Sequence, residues 1–116
     1  MKALPAHSWD LATKEAGDLQ KALAGEVVAQ DRFKDIRLVA GADVGFAKAT
    51  GCLVGFAKAT GCLRAAVAVL AFPTLEVVDQ AVIERPATFP YVPGLLSFRE
   101  VPALLEAFAK LSAEPD

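Results

Sequence analysis

A chain of 116 residues holds one domain at most, and 54% hydrophobic against 22% charged residues exceeds the apolar share of an ordinary soluble domain, so some apolar faces await partners. A net charge of −2 and a pI near 5.4 exclude a bulk electrostatic footprint for nucleic acid, so any contact with DNA has to come from a local patch. No apolar run reaches the roughly 18 residues that a membrane span needs, and Met1-Lys2-Ala3-Leu4-Pro5 lacks the apolar core of a signal peptide, so the expectation is a cytoplasmic protein away from membranes.

Residues 1–12 read as an irregular lead whose Trp9 packs on the body of the fold. His7 has no second ligand at suitable spacing, and no chemistry is assigned to it. From Thr13, taken as an N-cap, to about Gln30, the row Ala16, Leu19, Leu23 and Val27 recurs at helical spacing and predicts an amphipathic helix. Gly17 and Gly25 each cost it up to about 1 kcal/mol, so docking has to stabilise it. Asp31 to Asp35 is a polar linker.

Ile36 to Phe46 alternates with the period of a strand, and Asp43 falls on its second face between Gly41 and Gly45. The two glycines leave space in which an ion or a phosphate could approach the carboxylate. The residues alone leave a second role open, an aspartate that caps a turn at the strand end. Val44 to Leu53 is then repeated letter for letter as Val54 to Leu63. An identical pair reads as an insertion in the first hairpin and not as a repeat architecture. Ten is even, so an extended ladder would keep every side chain on its original face; a looped-out bulge is the alternative, and the first copy is expected to carry the site. Cys52 and Cys62 are copies of each other, which points to reduced thiols.

Arg64 to Phe72 is a small apolar run that suits a strand buried on both faces, and Pro73-Thr74 turns it into a third strand over Leu75 to Glu84. Short connections imply an antiparallel meander. In the turn that follows, Pro90 and Pro93 fix the backbone on either side of Tyr91 and hold its ring outward, free to act as a wedge or to pack as a core aromatic. The next helix carries Leu104, Phe108 and Leu111 as one apolar row with Glu100 at its head, and Pro102 predicts a kink or restart beside that carboxylate. Ser112 to Asp116 is a linker by composition. If the helix crosses the sheet, Asp43 and Glu100 could converge on a hard divalent cation, for which phosphodiester hydrolysis is the natural chemistry.

The run Pro90-Tyr91-Val92-Pro93-Gly94-Leu95-Leu96-Ser97-Phe98-Arg99-Glu100 resembles the signature of the endonuclease V family, DNA repair nucleases that act beside deaminated bases. Gly41-Ala42-Asp43-Val44-Gly45-Phe46 and, more loosely, His7-Ser8-Trp9-Asp10-Leu11 extend the resemblance over nearly the whole chain. It implies an α/β, ribonuclease H-like fold, of which this is the N-terminal portion: helix, three-stranded antiparallel meander, helix, an incomplete single domain over residues 1–116. It implies Mg²⁺, or alternatively Mn²⁺, held by Asp43 and Glu100, which would also be the catalytic carboxylates, and cleavage of the strand 3′ of deoxyinosine. Tyr91 would fill the gap left by an extruded base, Pro90 and Pro93 would stiffen it, and backbone around Gly94 and Leu96 would line the pocket for the damaged base. Family members continue with a strand ending in Asp-Gly and with a later lysine and histidine, and have no repeat after the first acidic motif. The chain alone is therefore expected to be inactive. The rival expectations are a non-catalytic fragment that self-associates or weakly binds DNA, and a small protein that buries its apolar faces in an oligomer.

Overall fold

A computed structural model of the chain describes residues 7–47 and 61–116. In chain order these residues form α1 (Thr13–Ala24), β1 (Leu38–Ala47), β2 (Cys62–Ala71), β3 (Val77–Pro86) and α2 (Leu96–Ala109). The strands make one antiparallel sheet in the order β1-β2-β3, with Asp43 opposite Ala66 and Ala65 opposite Ile83. On its outer side β1 has no partner strand among the described residues.

Alternation decides which face of the sheet is covered. On β2, Leu63, Ala65, Val67 and Val69 are buried, while Arg64 and Ala66 between them are exposed. The buried set meets Ala103 and Ala107 of α2 and Ile83 of β3, with Val44, Leu104, Phe108 and Leu111 packed around it. Two small residues on the helix allow close approach, and each fully buried Leu or Val is worth about 1.5–3 kcal/mol of transfer free energy. Glu106 of α2 forms an ion pair with Arg85 of β3 at the rim. The expectation that β2 is buried on both faces is corrected. Only α2 covers the sheet among the described residues, and the other face carries Arg64 paired with Glu84, a charge pair that solvent accommodates and a dry interior would not. Less regular alternation in β3 has a physical cause, a register shift between Val69 and Leu70 that lets Val77 pair with Leu70 and leaves Val78 as the extra residue.

Both helices differ from expectation at their ends. α1 stops at Ala24 and not near Gln30, because Gly25 caps it and Val27, which would continue the stripe, is 74% exposed with nothing to dock on. Thr13 is its first helical residue; the cap is Ala12, which makes no side-chain bond. α2 runs through Pro102 without a restart. Phe98 and Arg99 before the proline and Ala103 and Ala107 after it are all buried, so packing on both sides outweighs the roughly 3 kcal/mol that an internal proline costs.

The repeat straddles the first hairpin. Its first copy opens within β1 and its second closes within β2, with Phe46 opposite Leu63 and Ala47 opposite Cys62. How residues 48–60 extend or bulge lies outside the described residues. Cys62 is disulfide-bonded, which corrects the expectation of reduced thiols. That expectation rested on the two cysteines being copies of each other in a repeat, a sequence pattern that says nothing of pairing in space; Cys52 lies outside the described residues. No helix among the described residues is long and apolar enough to cross a membrane.

Candidate nucleic-acid interface and carboxylate pair

A second, aromatic core builds the exposed loop before α2. Phe89, Leu95 and Phe98 are buried together with Ala16 of α1, and Trp9, Leu11, Leu19 and Val92 pack against them. The Phe98 ring lies 5.7 Å from Phe89 and 5.6 Å from Trp9 between centroids. His7, read as a bystander, sits 4.4 Å from Trp9 as a further ring in this stack. Phe89, Val92 and Leu95 thus recur every third residue and point inward, which turns the residues between them outward. Pro90, Tyr91, Pro93, Gly94 and Leu96 are all exposed, Tyr91 to 74%.

The local chemistry explains the turn. Leu95 N donates to Val92 O at 3.0 Å, with Pro93 and Gly94 between them and Gly94 at φ 85°. Proline pre-sets the first corner, and the second needs a left-handed backbone that glycine adopts at little cost. Tyr91 is therefore presented on a segment with inward anchors on both sides and a proline on both sides.

Arg99 locks this loop to the sheet. It is buried, its Nη1 donates to Phe89 O, and its guanidinium lies 4.9 Å from the Phe46 ring centroid on β1. A cleft of about 460 Å³ opens beside it, lined by Trp9, Asp10, Arg85, Thr88, Phe98 and Pro102 among others. A second, mostly apolar cavity of about 330 Å³ lies between α1 and the start of α2. Neither is lined by Asp43, Tyr91 or Glu100.

The two carboxylates are placed differently. Glu100 is half-buried one turn into α2 and heads the row of Leu104 and Phe108, as its spacing predicts. Asp43 is exposed, and its Oδ1 accepts a hydrogen bond from Val44 N at 2.9 Å. Val44 faces the core under α2, so Asp43, its neighbour in the strand, belongs to the opposite face, beside exposed Ala66. No hydrogen bond joins the two carboxylates, and no group of three or more histidine, cysteine or carboxylate side chains able to hold a metal occurs among the described residues. Their oxygens suit a hard divalent cation by type.

Two further aspartates do structural work that sequence pattern did not single out. Asp79 on β3 accepts from Ser112 N and Ala113 N at 2.7 and 2.8 Å, and Asp116 accepts from Arg37 N and Leu38 N at 2.7 and 3.0 Å. The bonds from Ala113 and Ser112 hold the Asp79 carboxyl below the usual carboxylate range, and those from Arg37 and Leu38 do the same for Asp116. No motif marks them, because their partners are backbone amides distant in sequence.

A profile of the endonuclease V family matches residues 21–116. An endonuclease V from Trichormus variabilis is 44% identical over the whole of this chain, which spans 48% of that protein. The crystal structure of the Bacillus subtilis endonuclease V superposes on all of the chain with a TM-score of 0.82 at 26% identity, the chain covering 47% of it. A Ciona intestinalis endonuclease V crystallised with a 24mer DNA containing an inosine followed by a ribo-adenosine matches 83% of the chain with a TM-score of 0.66 at 19% identity, over 38% of its own length. The chain thus spans about half the length of the relatives it matches.

Proposed function

The chain belongs to the endonuclease V family and carries the opening half of its ribonuclease H-like fold, and on that premise we propose that it is the substrate-engaging half of a Mg²⁺-dependent repair nuclease that cleaves DNA 3′ of deoxyinosine. One observation carries the reading: an exposed Tyr91 on a doubly anchored, doubly proline-braced turn. Such a ring has little conformational freedom to lose when it inserts where a base has left the stack, and it recovers part of the few kcal/mol of stacking that extrusion costs. Pro90 and Pro93 hold it, and the backbone at Gly94 and Leu96 faces solvent where an extruded hypoxanthine would be received. The inosine DNA in the Ciona structure supports that substrate.

Asp43 and Glu100 are the carboxylates that would hold Mg²⁺. A bound Mg²⁺ lowers the pKa of water and neutralises charge that develops on the phosphate. The chain's own contribution is two negative oxygen donors and a rigid aromatic. With two carboxylates on different faces of the sheet, this half alone should bind substrate without cutting it. The proposed setting is the cytoplasm.

The test is to incubate the chain with duplexes that differ only by one inosine, with Mg²⁺ or with chelator, reading binding and strand breaks together. Preferential binding of the inosine duplex without strand breaks is the expected result. Equal binding to both duplexes would remove the substrate reading; Mg²⁺-dependent breaks that persist in Asp43→Asn and Glu100→Gln would remove both carboxylates from the chemistry. A second reading is favoured by the exposed Val77, Val78 and Val82 on β3, apolar surface that a second copy could cover. Elution as a dimer on a sizing column would support it.

A further inference from the structure

A chain of net charge −2 offers a DNA strand no general attraction, so a contact with phosphate needs cations that the fold gathers in one place. Arg32, Lys34 and Arg37 precede β1, whose first residue pairs with Ala71 at the end of the sheet far from Phe46. Arg64 lies on the face away from α2, paired with Glu84. Arg85 is placed otherwise. It pairs with Leu63, the residue that also faces Phe46, and so stands at the end of the sheet where Arg99 lies on the Phe46 ring. Arg85 and Arg99 line the same cleft of about 460 Å³, with Thr88, three residues before Tyr91, and with Asp10 as the one acid of that lining.

The two arginines are held differently. Arg99 is buried and engaged by Phe89 O and the Phe46 ring, so it contributes field. Arg85 Nη1 donates to Glu106 Oε1 at the rim, where the arginine side chain is 28% and the glutamate side chain 53% exposed. A pair this exposed is worth at most about 1 kcal/mol, because the glutamate can turn to water at little loss. A phosphate offers the same guanidinium a stronger, two-pronged acceptor. We propose that this cleft is a phosphate site for the DNA strand that the Tyr91 loop engages: Arg85 exchanges Glu106 for one backbone phosphate, with Arg99 and Thr88 in the same lining. A phosphate contact positions the strand without reading its bases, so the site acts alike on damaged and undamaged duplex. That the phosphate is DNA rests on the nuclease reading; the exchange at Arg85 has a readout of its own.

Binding of an inosine duplex and of the matching undamaged duplex by the full chain, titrated across salt concentration, tests it. Arg85→Ala should weaken both duplexes by the same factor, about tenfold, and lower the slope of log affinity against log salt by about 0.9, the share of one phosphate contact. Glu106→Gln should act in the opposite direction and tighten both by about two- to fivefold. The two substitutions break the same ion pair, so a role in folding alone would move binding the same way in both. The proposal is overturned if Arg85→Ala leaves the salt slope unchanged or weakens one duplex only, if Glu106→Gln fails to tighten binding, or if neither duplex is bound. Equal binding of the two duplexes by the unmodified chain would remove the inosine reading and leave the phosphate site standing, so the two fail separately.

Discussion

Tyr91 and Phe98 stand close in sequence yet should fail in opposite ways when truncated. Tyr91 is 74% exposed, so Tyr91→Ala should change folding stability by no more than about 0.5 kcal/mol. Phe98 is 3% exposed, with its ring against Phe89 and Trp9, so Phe98→Ala should cost about 3–5 kcal/mol, a large share of the roughly 5–15 kcal/mol that holds a domain folded. Binding should show the reverse order of specificity. Base–aromatic stacking is worth about 1–3 kcal/mol, so loss of the Tyr91 ring should weaken the inosine duplex by roughly 5- to 150-fold while undamaged duplex, whose bases stay stacked, changes little. Fluorescence anisotropy on the two duplexes, beside urea denaturation of each variant, measures both quantities. The reasoning fails if Tyr91→Ala weakens both duplexes by the same factor, or if Tyr91→Phe, which keeps the ring, loses as much discrimination as Tyr91→Ala.

Acid should expose the aspartate clamps. Because the folded pKa of Asp79 is depressed, its ionised form contributes stability above the unfolded value near 3.9, and that contribution fades as pH falls through the folded value. Asp79→Asn should therefore be less stable than the unmodified chain at neutral pH, with the gap closing below about pH 4; a gap independent of pH in urea titrations would contradict the clamp. Deleting Val54 to Leu63 should leave the hairpin intact, because the identical first copy supplies Cys52 and Leu53 where Cys62 and Leu63 stood. With reductant present, so that no disulfide contributes to either form, the shorter connection should raise stability by about 1 kcal/mol through loop closure. A drop in thermal midpoint would show that the second copy has its own place in the core.

Periodicity carried most of the fold, and what it missed was long-range. The strand pattern over Ile36 to Phe46 and the antiparallel meander match β1 to β3 within two residues at each end, because those strands alternate against one covered face. The apolar run around Val67 read as doubly buried because alanine at positions 66 and 68 looks the same on a wet face as in a core. Pro102 read as a break because the local rule is strong and the packing of Arg99, Ala103 and Ala107 that overrides it is not visible in the chain. The turn at Tyr91 was legible, since two prolines and a glycine at fixed offsets dictate its backbone. Asp79 and Asp116 were not, since each acts on amides more than thirty positions away.

Arg99 ties the two halves of the proposed site into one object. A buried guanidinium is costly unless its donors are met, and here they are met in part by Phe89 O, two residues before Tyr91, while its face lies on Phe46, three residues after Asp43. The loop that presents the ring and the strand that presents the acid are thus held by the same side chain, from a helix that also carries Glu100. A shift of the loop away from α2 would break the bond from Arg99 to Phe89 O, so the position of Tyr91 is coupled to β1 through that side chain and not only by loop stiffness. Lysine could not replace it, because a point charge on a flexible stem has neither the flat face that lies on Phe46 nor the fork that reaches a carbonyl at the same time. The turn motif is therefore held by buried Phe89, Leu95 and Phe98 together with Arg99, and the exposed residues are free to be chosen for what they touch.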